Sequence, residues 1–296
     1  MRKKNGADML ITDKYKKRSR FGDIFIRIRR NKGAFVGMII VALLLLTVLG
    51  SLFISYESMT ETNAVDRFAS PSWKYPFGTD NMGRNMFLRT IYGTRYTVAI
   101  GFSAVAIATI VGVALGSIAG YFGGLTEDLI MRASDVLASI PGMLFGMVIV
   151  NTLGQSLQNL IIAVGVTSIP MFIRISRASV LSLRNQEFVE AARAIGMSSF
   201  RIIFRQVLPN GLAPIIVIFT GSLGMAVMVG ASLSFMGYGV PVPTPEWGAL
   251  VSGGRNYIRT SPFIMTYPGL LIMITALAFN LLGDGLRDAL DPKLKS

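Results

Sequence analysis

Five stretches of this chain contain no Asp, Glu, Lys or Arg: Gly33–Tyr56, Tyr96–Thr126, Val136–Ile173, Gln206–Pro245 and Thr260–Gly283. A membrane-crossing helix needs roughly 20 apolar residues to cover about 30 Å of hydrocarbon, and every window is long enough. The third is too long for one crossing, and the polar patch Asn151–Asn159 interrupts it. The pattern therefore predicts six spans, roughly 33–55, 97–119, 137–151, 159–175, 212–236 and 263–283.

The polar stretches between the windows divide the chain further. A basic tail occupies 1–32, a first transmembrane helix 33–55 and an outer segment 56–95. A helical membrane domain fills 96–286 and includes a polar loop at 176–210, and a short tail closes the chain at 287–296. In the tail, Phe21, Ile24, Phe25 and Ile28 recur at helical spacing among arginines, the pattern of a helix lying on an anionic membrane face. In the second window Gly112, Gly116 and Gly120 repeat every fourth position, which lets two helix backbones approach closely. A second outer segment, Gly237–Pro262, carries Pro241, Pro243, Pro245 and Trp247; prolines at that density end the fifth span and stiffen its exit.

Composition agrees with a polytopic membrane protein: 52% of residues are hydrophobic and 15% charged, and the mean hydropathy is +0.55. The net charge of +13 could point to nucleic acid, but its distribution assigns it to membrane topology. Of the 29 Lys and Arg, twelve lie in the tail before the first span and one (Arg132) follows the second. Six follow the fourth, counting Arg174 at its end, and three lie at the C-terminus. The opposite side holds seven, so the asymmetry is 22 against 7. Both termini and the 176–210 loop are therefore expected in the cytoplasm. The first span reads as an uncleaved signal anchor, because its apolar run is too long for a cleavable signal peptide.

With no histidine and no cysteine, the chain lacks the commonest metal ligands and the commonest general base. The predicted span interiors hold no carboxylates for proton coupling. No Gly-Lys dipeptide occurs, so there is no P-loop. No catalytic, cofactor-binding or metal-binding residue is expected, and any energy must come from another chain.

The loop is where such a chain would connect. Phe188, Ala191, Ala192 and Ile195 recur at helical spacing before Gly196; Phe200, Ile203, Phe204 and Val207 repeat it afterwards. Gly196 suits the left-handed residue that ends the first helix, Ser198 or Ser199 the cap of the second, and Pro209 the boundary before the fifth span. The expected product is a bent helix–turn–helix, edged by Glu187, Glu190, Arg193, Arg201 and Arg205.

Glu190-Ala191-Ala192-x-x-x-Gly196 followed by Leu208-Pro209 resembles the EAA motif of bacterial ABC-importer permeases. Other blocks resemble the dipeptide/oligopeptide permease C subunits: Pro76-Phe-Gly-Thr-Asp80-x-x-Gly83-Arg84, Gly120-Tyr-Phe-Gly-Gly124, Met131-Arg132-x-x-Asp135, Ser139-Ile-Pro141, Ser234-Phe-Met-Gly237 and Asn280 to Asp288. The chain departs from the family pattern at Gln206, Asn85 and Tyr75. The resemblance implies an all-α membrane protein of the type I (MetI-like) importer fold, with six transmembrane helices. It implies that the loop is a coupling helix seated on an ATPase subunit, through Glu190, Ala191, Ala192, Arg193, Gly196, Phe200, Phe204, Leu208 and Pro209. It further implies a heterodimer with a homologous B-type permease, two ATP-binding subunits that bind the ATP, and an extracytoplasmic solute-binding protein. Trp73, Asp80, Arg84 and Trp247 are the expected docking residues for that protein. The implied cargo is a di- or oligopeptide. Nickel or another small solute is the alternative, and a non-transporting membrane scaffold is the alternative of a different class.

Overall fold

The computed structural model describes residues 26–290, and these are almost entirely helical. The elements are α1 (Lys32–Ser51), α2 (Tyr56–Thr60), α3 (Met86–Phe122), α4 (Gly124–Ser139), α5 (Gly142–Leu153), α6 (Leu157–Leu183), α7 (Glu187–Ala194), α8 (Ser199–Ile202), α9 (Leu208–Asn210), α10 (Leu212–Leu233), α11 (Trp247–Gly254) and α12 (Phe263–Leu290). Single π turns follow α8 (Ile203–Val207) and α10 (Ser234–Tyr238).

Among the described residues, five helices are long and apolar enough to cross a membrane, and the bent pair α4–α5 brings the number to six if it counts as one span. The span predicted over 137–151 is corrected by this pair. Its chain turns through 87° at Ile140–Pro141, because the proline cannot continue α4 with a backbone N–H. The 12 residues of α5 reach only about 18 Å. Two other boundaries also move. The second span begins at Met86 rather than near 97, so the 37-residue α3 runs about 55 Å and projects beyond the bilayer at its first turns. The fourth continues as α6 through Leu183, taking residues 176–183 from the expected loop. What remains, 184–211, is called the elbow below, and its end of the bundle the inner end.

The core forms where α3 runs along α6, with α10 and α12 packed on the other side. Small residues make the α3–α6 contact possible. Gly112, Gly116 and Gly120 face Phe172, Ile173 with Ser176, and Arg177 with Val180. A Cβ on Gly120 would lie 2.8 Å from the Arg177 carbonyl oxygen, and one on Gly116 would meet the Ile173 carbonyl oxygen still closer. Between these backbones the Ser117 and Ser176 hydroxyls pair at 2.9 Å, so neither is left unsatisfied in an apolar seam. The expected packing role of the glycine stripe is what the structure shows.

By contrast, α1 sits at the periphery against α12 and α3, presenting Leu43, Leu46 and Leu49 outward as a lipid-facing helix does. Of the predicted surface helix in the tail, Phe21, Ile24 and Phe25 lie outside the described residues. Ile28 is buried against Ala34 and Ala289 rather than turned to lipid.

Candidate functional site

The elbow is built from its turn outward. Gly196 has φ +77°, the left-handed conformation expected of it. Its N–H donates to the Arg193 carbonyl at 2.9 Å, and the Met197 N–H to the Ala192 carbonyl at 3.1 Å. That pair of bonds is a Schellman motif, and its usual apolar contact is present because Met197 packs with Ala192. Ser198 occupies the next N-cap position, but its side chain makes no capping bond, contrary to expectation. The helix then widens into a π turn over Ile203–Val207, and the Leu208 N–H reaches back to the Ile203 carbonyl. Pro209 explains the widening: it lacks the N–H that would bond to the Arg205 carbonyl, and its ring crowds that oxygen.

The expected apolar face divides in two. Val189, Ala192, Ile202, Ile203 and Val207 turn inward, onto Tyr121 at the end of α3 and Val180 of α6. Facing outward are Glu190, Ala191, Ile195, Phe200 and Phe204, with Ile195 78% and Phe200 59% exposed. Of the residues expected to couple, Leu208 is half-buried and Pro209 exposed. Arg193 turns back toward the bundle: its Nε donates to the Tyr121 hydroxyl at 3.2 Å, and its guanidinium lies 5.1 Å from the centre of that ring. It fastens the elbow to α3.

Three further arginines, two on α6 and Arg184 just past its end, brace the inner end. Arg174 pairs with Asp135 at 2.8 Å, Arg177 with Glu127, and Arg184 donates to the Gly120 carbonyl at 3.0 Å. The first two tie α4 to α6. A displacement of the elbow is thus shared with α3 by Tyr121 and Arg193, and with α4 by the arginine braces. The outward face combines these exposed apolar side chains with the exposed carboxylates Glu187 and Glu190 and the exposed guanidinium groups Arg201 and Arg205.

At the outer end, the four expected docking residues separate. Trp73 is fully exposed. Trp247 is 1% exposed and donates its indole N–H to the Thr90 carbonyl of α3 at 2.9 Å. Asp80 is buried as well, accepting from the N–H groups of Met82 (2.8 Å) and Arg84 (3.0 Å) and from the Arg84 Nε (2.7 Å). Asp80, Arg84 and Trp247 hold the outer segments in shape, so the docking expectation is corrected for the two buried residues.

Glu246, absent from the expected set, is fully buried and caps α11. Its carboxylate accepts from the N–H groups of Gly248 and Ala249, each at 2.9 Å, and from the Thr97 hydroxyl at 3.2 Å. Burial pushes its carboxyl above the usual carboxylate range, while these donors pull the other way. A carboxylate just before a Trp-Gly-Ala helical start was the sequence signal for this cap.

Between α5, α6, α10 and α12 lies a cavity of about 670 Å³, lined by Thr167, Ser168, Met171, Ser222, Met225 and Asn280, with Asp284 and Arg287 at one end. Apart from Asp284 and Arg287, its walls are mixed apolar and uncharged polar.

Residues 112–296, well over half of the chain, match the model of the binding-protein-dependent transport system inner membrane component. The chain belongs to that family. Residues 19–71 of this permease also match the N-terminal transmembrane domain of oligopeptide transport permease C. The permease is 44% identical over 96% of its length to the dipeptide transport system permease protein DppC of Alkalihalophilus pseudofirmus, covering 93% of that protein. It is 39% identical to the DppC of Haemophilus influenzae over 90% of this chain and 92% of that one. It is 40% identical to the glutathione transport system permease protein GsiD of Escherichia coli over 94% and 92%. In fold it is similar to chains of the MetNI methionine ABC transporter in inward-facing conformations, with a TM-score of 0.57 over 70% of this chain and 98% of that chain at 20% identity. It is an integral membrane transport protein of the MetI-like importer fold, built to work with other subunits of a transporter.

Proposed function

We propose that this permease carries small peptides across the bacterial cytoplasmic membrane, driven by ATP that is bound and hydrolysed on two partner subunits seated on its elbow and on that of a homologous permease. The observation that carries the reading is the elbow itself. It presents Ile195, Phe200 and Phe204 outward beside Glu190, while its inner face is locked onto α3 and α6. An exposed aromatic patch on a rigid turn gains by being covered, and a force applied there moves helices rather than a loop. ATP binding to the partners draws the elbows together and shifts the bundle between inward- and outward-facing states. That shift is limited by the partners' differential affinity for the two states.

Peptide cargo is supported by relatives that transport dipeptides, di- and tripeptides and glutathione, all small peptides. The cavity, whose walls are uncharged apart from Asp284 and Arg287, suits them, because selection is left to an extracytoplasmic solute-binding protein. That protein meets the outer face near the exposed Trp73.

The test pairs uptake with co-purification. Phe200→Asp and Phe204→Asp together leave the buried face intact, so the subunit reaches the membrane but loses its ATPase partners and dipeptide uptake. Normal uptake by that double variant overturns the reading. A wild-type complex that brings down no ATPase identifies a scaffold instead.

A further inference from the structure

The outer end contains a buried positive charge that the transport account does not use. Arg89, in the first turns of α3, is 3% exposed, and its Nε and Nη1 groups make no hydrogen bond to any described residue. The nearest carboxylate, Asp80, lies 3.4 Å from Nη1. It is already engaged by Arg84 and by two backbone N–H groups, and its geometry toward Arg89 is not that of a hydrogen bond. One carboxylate therefore faces two guanidinium groups, leaving a net positive charge in a desolvated place. A buried guanidinium with idle donors is costly unless an acceptor meets it.

Beside it is a cavity of about 60 Å³, lined by Asp80, Asn81, Arg84 and Arg89 from the first outer segment and α3, and by Val242, Thr244 and Tyr257 from the second outer segment. That is room for one group a few times the size of a water molecule, and far too little for a peptide.

We propose that this cavity is a binding site for one small monovalent anion, of the size of chloride or formate, with the Arg89 guanidinium as its principal ligand. The idle Nε–H and Nη1–H supply the donors, and the cluster supplies the missing unit of charge balance. Because the walls come from both outer segments, the bound anion ties them together and stiffens the outer face. Water could fill the space but would leave the net charge uncompensated.

The full chain in lipid nanodiscs, alone and with its transporter partners, tests this at a constant ionic strength of about 0.15 M. Replacing gluconate, which is too large for the cavity, by chloride, bromide or formate is expected to raise the unfolding midpoint by about 2–4 °C. Arg89→Gln is expected to abolish that difference. Formate matching chloride identifies a general small-anion site, whereas a response to halides alone identifies a halide site. Equal midpoints in all four anions overturn the proposal, as does an undiminished chloride response in Arg89→Gln. If that variant does not fold, bromide anomalous scattering from the wild-type protein decides: a peak within reach of Arg89 supports the site, and a vacant cavity refutes it.

Discussion

Gly196 is the residue whose replacement separates elbow geometry from elbow contacts. Its φ of +77° is forbidding to residues with a Cβ, yet nothing lies within 4 Å of where that Cβ would stand. Substitution therefore adds backbone strain and no clash. The strain is about 1–2 kcal/mol for an ordinary residue, less for asparagine, and largest for a β-branched one. Two bonds resist the change, Gly196 N–H to Arg193 and Met197 N–H to Ala192, each worth about 1 kcal/mol net. Strain of that size is enough to populate an elbow with its turn undone. Set against the roughly 2 kcal/mol of those two bonds, a strain of about 2–3 kcal/mol for a β-branched residue should weaken docking of the ATPase by roughly 2- to 6-fold for Gly196→Val. Gly196→Ala should fall at the lower end and Gly196→Asn near wild type. Affinity of purified permease for its ATPase, with peptide-stimulated ATP hydrolysis alongside, gives the ranking. Equal docking by Gly and Val, or Asn weaker than Val, refutes the reasoning, because neither order follows from left-handed strain.

Three further outcomes follow from the packing. Gly116→Leu drives a side chain into the Ile173 carbonyl and within about 3 Å of Ser176, so the α3–α6 seam must part; a loss of at least about 1–3 kcal/mol is expected in unfolding measured in detergent, far exceeding that of Gly221→Ala, which meets nothing within 4 Å. Trp247→Phe keeps the aromatic bulk but loses the indole hydrogen bond to the Thr90 carbonyl, which still accepts from the Thr94 hydroxyl, and should cost about 0.5–1.5 kcal/mol in the same assay while leaving ATPase affinity unchanged. Asp66 is held below its usual 3.8 by the Tyr75 hydroxyl at 2.6 Å and by Lys74 at 3.0 Å. A lowered carboxylate stabilises the fold above its unfolded value and loses that contribution as pH falls through the lowered one. The outer segment should accordingly become protease-sensitive below about pH 4 in wild type, and Asp66→Asn should show no such pH dependence.

The legibility of this chain depended on whether a signal was local. Gly196 and Pro209 act through their own backbones, and both produced the turn and break their chemistry requires. The Gly112, Gly116 and Gly120 stripe was equally readable, since small residues at every fourth position have few other uses in a span. Window-based hydropathy failed where charged residues sit inside a helix. Arg89 and Arg95 made 86–96 look like loop, yet Arg89 is buried beside Asp80 and Arg95 stacks 3.4 Å over the Tyr92 ring, so the helix starts about eleven residues early. Pro141 was visible, but an uncharged window conceals the direction of a bend. Periodicity marked the elbow's apolar positions without dividing them, because both faces are apolar: one packs on Tyr121 and Val180, and the other is exposed. Trp247 was misplaced because a contact far along the chain, its indole bond to the Thr90 carbonyl, fastens it to α3, and Asp80 because the turn through Arg84 closes over its carboxylate.

The most direct test of the docking claim uses a chain free of cysteine, so that a single introduced thiol reports alone. In an Ile195→Cys variant, a membrane-impermeant maleimide should leave intact spheroplasts unlabelled. It should label inverted vesicles stripped of peripheral subunits, and labelling should fall when the ATPase is restored. Labelling from outside the cell, or labelling of inverted vesicles that the ATPase does not reduce, contradicts the claim that the elbow's outward face is the seat of the motor.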